Sequence, residues 1–349
     1  MNLAPYLEDL EARIDDKVED ELLNQWIKFV NGEWPEEFFR PARPEKSPPK
    51  IDWPNITINE AIADHDKMIL SQLASCSATL AAGTGKMLCV RSNYGTSILP
   101  SLFGVKLFFM DDRYNTLPTS YPIENAKEGI RELLKQGVPD LSRGLGAKTL
   151  EMGQRFVEVF AQYPKIKKHV HIYHPDLQGP MDVCEVIWGS QLFLDIMDEP
   201  NLVKDFLELI TETYIAFMKE WQRIVPPQTP WSVHWGVVQK GQVMLRNDSA
   251  VNFSPGMFAE FFRPYDQRIL EEFGGGSMHY CGRGDHFVAL AAETKGLYAF
   301  NLGQPELNDL KTIYEHSVAR GIQLLDFPVN LAQSLLEDNY RLYGRVHCR

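Results

Sequence analysis

No run of apolar residues in this chain approaches the roughly 18 positions that a membrane-spanning helix requires, so no spanning segment is expected. Cysteine is scarce and odd in number: Cys76, Cys89, Cys184, Cys281 and Cys348 are scattered over 349 residues. That pattern argues against a disulfide framework and leaves reduced thiols for packing or metal binding. Positive charge is short as well. Lys and Arg total 35 against 47 Asp and Glu, a formal charge of -12. This balance repels polyanions, and no Lys/Arg cluster interleaved with aromatics makes a local exception. Nucleic acid is therefore not an expected partner, and neither is a membrane. The N-terminal stretch MNLAPYLEDLEARIDDKVEDELL is acidic and lacks the basic region and apolar core of an export signal, which points to a cytoplasmic protein.

What is present is an ordinary globular composition, 44% hydrophobic and 23% charged, enough to build a large core. Residues 1–60 read as an N-terminal helical arm, ending in the Trp- and Pro-rich segment NQWIKFVNGEWPEEFFRPARPEKSPPK, whose charges and prolines predict an irregular surface course. Residues 61–349 read as one unit in which short apolar runs alternate with helical periodicity. The runs are MLCVRSNYG, KLFFMDD, HVHIYHP, PWSVHWG, SMHYCG, LYAFNLG, IQLLDF and GRVHC. Between most of them lie amphipathic stretches such as TLEMGQRFVEVFAQYP and NLVKDFLELITETYIAFMKEWQRIV. Such alternation predicts an α/β fold with parallel strands, and about eight units close a TIM-type (β/α)8 barrel.

Active sites of such barrels lie at the C-terminal strand ends. That rule shortlists Arg91, Asn93 and Tyr94, Asp111 and Asp112, His174, His234, His279 and Cys281, Asn301, Asp326, and His347 and Cys348. The stretch AAGTGKM is not a phosphate loop, because Leu80 and Met87 stand where a framing glycine and a magnesium-binding hydroxyl are needed. In HVHIYH, His169 and His171 would share a strand face and read as structural, with His174 past the strand end as a pocket residue. The stretch GGGSMHYCGRGD is the sharper signal. His279 and Cys281 are ligand types that zinc prefers, and an i, i+2 pair on an extended segment points to one side. Two ligands do not hold a catalytic metal, so a third must come from elsewhere; Cys348, in the last strand, is the best-placed soft donor. The alternative is that these cysteines are buried core residues.

The segment NDSAVNFSPGMFAEFFRPYDQRILEEFGGGSMHYCG resembles the uroporphyrinogen decarboxylase superfamily, with its Ser-Pro-Glu-Met-Phe helix start and a strand ending in His-x-Cys-Gly; here Gly256 replaces the glutamate. SNYGTSILPSLFG and GPMDVCEVIWGSQLFLDIMDEPNLVKDFLELIT resemble the corresponding earlier parts, so the likeness runs over residues 60 to 349. The Arg-Gln-Ala-Gly-Arg motif of true decarboxylases is missing. The resemblance therefore leans to the zinc-dependent methyltransferase branch, which moves a methyl group between a corrinoid and a thiol. It implies zinc on His279, Cys281 and Cys348, a corrinoid as substrate or on a partner protein, a small-molecule substrate and a homodimer. In that family residues follow the last cysteine, whereas here only Arg349 does; the match of Cys348 then rests on strand register, and His347 could instead point inward. Asp248 and His234 are expected to serve the catalytic centre, Asp248 by accepting the second N–H of His279. Arg91, Asn93, Tyr94 and His174 are expected to face substrate. The rival readings are a metal-free decarboxylase of a porphyrinogen or another carboxylated substrate, for which Arg91, Arg113, Lys240, Arg246 and Arg283 are the available cations, and a non-catalytic binding barrel.

Overall fold

The computed structural model describes residues 2–349. The chain opens with helix α1 (Ala4–Arg13) and helix α2 (Asp16–Val30). The start of α2 is set by Asp15, whose carboxylate accepts from the Lys17 and Val18 amides and satisfies donors a helix start leaves open. Leu22, Trp26 and Phe29 recur three and four residues apart on its buried face.

Twelve strands follow in chain order: β1 (Phe38–Phe39), β2 (Cys89–Val90), β3 (Leu107–Phe108), β4 (Thr119–Ser120), β5 (His171–Ile172), β6 (Trp231–His234), β7 (Val237–Lys240), β8 (Val243–Arg246), β9 (Gly276–Tyr280), β10 (Leu297–Leu302), β11 (Gln323–Phe327) and β12 (Val346–Cys348). Six of them form one sheet in the order β1-β12-β11-β10-β9-β8, parallel at every junction. A second parallel pair, β2 and β5, stands apart. Isolated bonds approach the gap, including Gly179 N to the Arg246 carbonyl at 2.8 Å and Met244 N to His174 Nε2 at 3.0 Å. Among the described residues no strand ladder joins the two groups, so the hydrogen bonds do not draw a closed cylinder.

The α/β class with a parallel sheet agrees with the alternation in the sequence, but individual strands differ. KLFFMDD contributes β3, which pairs antiparallel with β4, and PWSVHWG contributes β6, which folds back on β7 as an antiparallel hairpin. The barrel-like role expected of those two runs falls instead to β8, from QVMLR, and to β1, from the Trp-rich segment. His169 ends the short helix Pro164–His169 rather than sharing a strand with His171, and its ring bonds Asp16 at 2.7 Å.

The expected irregular surface course holds for residues 41–50, which form no helix or strand ladder and are mostly exposed, and is corrected for residues 24–39. Trp26, Phe29 and Phe39 are fully buried. Two apolar clusters explain why. Leu245, Met278, Tyr280, Phe300, Leu324 and Val346 face outward into a large core shared with the long helix Pro200–Ile224. Residues that alternate with them, Met244, Ala299 and Leu325, face inward and meet Trp26 and Phe29 of α2, Phe39 of β1 and the valines of the β6–β7 hairpin. The inner face of the sheet is thus covered by α2 and the hairpin. No helix among the described residues is long and apolar enough to cross a membrane.

Trp26 also donates its indole N–H to the Gly85 carbonyl at 2.9 Å, so its ring fills a core and closes a polar link. Truncation by Trp26→Ala is expected to remove about 3–5 kcal/mol of unfolding free energy, the usual range for a buried tryptophan, measured by urea denaturation; a loss under about 1 kcal/mol would mean that α2 is a mere appendage.

Candidate functional site

Neighbouring strands of the parallel sheet align Arg246 with His279, His279 with Asn301, and Asn301 with Leu325. Because side chains on a strand alternate between faces, these four residues form one inward-pointing row near the C-terminal strand ends. Cys281 follows β9 by one residue. Its sulfur lies 3.4 Å from His279 Nε2, and an Asp248 oxygen lies 3.7 Å from the same nitrogen. One ligand atom from each of Asp248, His279 and Cys281 falls within 4.8 Å of the other two.

The orientation of His279 follows from a chain of hydrogen bonds. The Asn301 amide nitrogen donates to the Leu325 carbonyl at 3.0 Å, which turns its oxygen toward His279 Nδ1 at 2.6 Å. An amide oxygen only accepts, so Nδ1 carries the proton and Nε2 presents a lone pair toward Cys281 and Asp248. Burial lowers the pKa of His279, outweighing Asp248 and Asn301, which raise it. A neutral imidazole is the ligand form.

Asp248 is itself held in place. It opens a 3-10 turn, Asp248–Asn252, whose first two amides donate to the two carboxylate oxygens of Asp182 at 2.9 Å each. One Asp248 oxygen accepts the Cys281 amide at 2.7 Å. Burial, then Asp248 and Asp182, push the Cys281 thiol up to about 11, so without an added positive charge the sulfur stays protonated at neutral pH. A nitrogen, a sulfur and a carboxylate that converge in this way form a donor set that a divalent cation fits, and the cation would reverse the repulsion between thiolate and carboxylate. Gly303 packs against this sulfur, and a Cβ there would stand 2.7 Å from Cys281 Sγ; a side chain at 303 would displace the thiol.

Next to the row lies a buried ionic network. Asp176 sits between Arg91 at 3.1 Å and Arg246 at 3.0 Å. Burial raises its pKa, but Arg246 and Arg91 outweigh that and hold the carboxyl below its ordinary range. Arg246 also meets His234 Nε2 at 2.7 Å, and its Nη1 is buried with no hydrogen-bond partner among the described residues. Trp235, at the hairpin tip, stacks on the Arg246 guanidinium at 4.8 Å and abuts the His279 ring at 5.0 Å. Its φ of +51, followed by Gly236 at +82, is strained for a bulky residue, at a cost on the order of 1–3 kcal/mol; the cation–π and ring contacts offset that cost.

The sequence-derived candidates divide accordingly. His279 and Cys281 come together as expected. Cys348 does not join them: Val346 and Cys348 face the outer core while His347, between them, faces inward. His347 is not a ligand either, since its Nδ1 accepts from Asp326 N at 3.0 Å and its ring lies against Trp26 at 4.5 Å. The partner that fixes the His279 tautomer is Asn301 rather than Asp248, which stands on the Nε2 side. His174 and His234 are buried beside each other, ring centroids 4.6 Å apart, with His174 pinned to the Pro175 carbonyl and the Met244 amide. Burial first, then Arg246, lowers His174 to about 3. Tyr94 is fully buried in the outer core. Arg91 and Asn93 bond each other at 3.0 Å. Asp182 was missed; the segment GPMDVCEVIW contains it, but nothing in its spacing marks which carboxylate turns inward.

Fold and site together define an α/β protein with a donor cluster at the C-terminal edge of a parallel sheet. No protein-family model matches the chain, and no curated protein matches its sequence. Among solved structures it is similar to a methyltransferase from Methanosarcina mazei, with a TM-score of 0.56 and 16% identity over 77% of this chain and 71% of that one. At that identity the likeness is one of fold.

Behind the site, Asn247 donates to the fully buried Asp266 at 2.6 Å. Burial raises the Asp266 pKa from 3.8 to about 7, against the smaller opposing effect of that bond. At pH below 3.8 the carboxyl is neutral in both the folded and the unfolded chain; as pH rises to about 7 the unfolded chain ionises first and stability is lost. Relative to Asp266→Asn, the native chain is expected to lose on the order of a few kcal/mol between pH 4 and pH 7, with no further change above. Urea unfolding at several pH values measures this, and parallel curves for the two proteins would refute it.

Proposed function

We propose that the chain is a zinc-dependent methyltransferase of the uroporphyrinogen decarboxylase-like kind, built on an eight-unit barrel, that moves a methyl group between a corrinoid, free or on a partner protein, and a thiol. The observation that carries this reading is the convergence of Asp248, His279 and Cys281 at the strand ends, with the His279 lone pair aimed at the other two donors. The resemblance in the segment that ends in HYCG and the fold likeness to a methyltransferase support the same class. In this proposal Asp248 takes the third-ligand place that Cys348 was expected to fill.

Bound zinc supplies positive charge that lowers the pKa of a thiol beside it and favours the nucleophilic thiolate. The protein's own residues do the rest. Asn301 holds the His279 ring and its tautomer, Asp182 holds the backbone that carries Asp248, and Trp235 screens one side of the centre from water. In the transfer a sulfur–carbon bond forms and the cobalt–carbon bond breaks, its electron pair remaining on cobalt; reversal runs the same balance backward.

One observation favours a second reading, a metal-free decarboxylase. Arg91 and Arg246 share the single carboxylate of Asp176, which leaves a buried excess of one positive charge suited to a substrate carboxylate. Metal content separates the two. Purified protein is expected to carry about one zinc per chain, lost in His279→Ala, Cys281→Ser and Asp248→Ala but retained in Cys348→Ser. Asn301→Ala is expected to weaken zinc binding by about 10–100-fold, as loss of an orienting partner does. A chain that takes up no zinc when zinc is supplied would turn the assignment to the decarboxylase, and loss of zinc in Cys348→Ser alone would restore the ligand set with two cysteines.

A further inference from the structure

A cavity of about 700 Å3, whose lining includes none of Asp248, His279 and Cys281, lies between β5 and the β6–β7 hairpin. Phe160, Met218, Trp221 and Trp231 form its apolar walls, and the Pro226–Pro227 turn borders it. Its size falls within the roughly 300–1,000 Å3 of small-molecule sites, which combine apolar lining with few convergent polar groups.

The polar groups are of two kinds. Most are already engaged: Thr229 donates to the Trp231 carbonyl at 2.7 Å, Ser232 to the Gly241 carbonyl at 2.8 Å, and Lys168 pairs with Asp20 at 2.8 Å. His171 and Tyr173 differ. Both line the cavity, and neither the imidazole nor the phenol forms a hydrogen bond among the described residues. Burial, then His169, lowers the His171 pKa to about 4, so at neutral pH it is an uncharged donor and acceptor. The Lys168–Asp20 pair at the rim is mutually neutralised. Lys167 lines the same cavity from an exposed position and has no ion pair among the described residues, so its charge is already solvated. At His171 and Tyr173 no counter-charge is offered, and a charged guest seated there would lose its hydration at a heavy cost.

We propose that this cavity is a binding site for an uncharged, largely apolar small molecule with one hydrogen-bonding group, which His171 and Tyr173 receive. The site is separate from the metal cluster and does not depend on the methyltransferase reading.

The test uses the full chain and two probes that share a ring system, neutral N-phenyl-1-naphthylamine and its anionic sulfonated analogue, 1-anilinonaphthalene-8-sulfonate. The neutral probe is expected to saturate at one per chain and to quench tryptophan emission by energy transfer from Trp221 and Trp231. Ala161 lines the cavity from an exposed position, so Ala161→Trp plugs the mouth and is expected to weaken binding at least tenfold without changing the circular dichroism. If that variant does not fold, Val157→Trp at the same rim replaces it. His171→Leu is expected to weaken binding about two- to tenfold, the worth of one hydrogen bond. The absence of saturable binding, or affinity undiminished by the plug, overturns the site. Equal or tighter binding of the sulfonated probe overturns the uncharged class, and unchanged affinity in His171→Leu overturns the recognition by His171. Binding is expected to persist in His279→Ala; its loss there would place the probe at the metal cluster and overturn the assignment.

Discussion

The alternation of side chains along five parallel strands governs this molecule. From β8 to β12, each step of one residue switches a side chain between the helix-covered outer core and the inner face. Parallel register then aligns the inward positions of neighbouring strands, which is how residues far apart in sequence, Arg246, His279, Asn301 and Leu325, come to stand in a row. The same rule excludes Cys348. Any shift of β12 that turned its sulfur inward would send His347 into the outer core and expel Val346 from it.

The fold class was readable because helices and strands differ in period, and three of the strands that carry the site, β9, β10 and β11, are apolar runs bounded by turns; β8, which carries Arg246 and leads to Asp248, was not among the expected strands. The hairpin was not readable. WSVHW has the composition of a buried parallel strand, and its reversal occurs at Trp235-Gly236, without the Asn-Gly or Asp-Gly that advertises a two-residue turn. β1 was hidden by the prolines and charges around Phe38 and Phe39, although those two residues needed only a partner strand to become structured. Within the site, HYC announced itself by residue type. Asn301 could be shortlisted at a strand end but not given a role, since its value lies in a cross-strand neighbour that no local pattern reveals. Cys348 illustrates the limit of periodicity: a strand buried on both faces reads as apolar throughout, and alternation alone does not say which set faces in.

Electrostatics in the interior are arranged by partnership rather than by avoidance of charge. Asp176 remains ionised because two guanidinium groups flank it, whereas Asp182 and Asp266, buried with amide donors but no cation, have raised pKa values, burial being the first cause in each. Three aspartates thus take different protonation tendencies from their surroundings. The carboxylate that approaches His279 is the partly exposed Asp248.

The pairing of β1 with β12 also constrains the order of events in folding. Phe38 and Val346 are register partners, yet about three hundred residues separate them, so this contact carries a large loop-closure cost and belongs among the last to form. During synthesis the sheet edge at β11 stays open, and Trp26 and Phe29 lack the His347 ring they pack against, until β12 emerges. The α2 face therefore lacks its His347 contact until β12 is made, and β1 and β12 act as a clasp that fastens late.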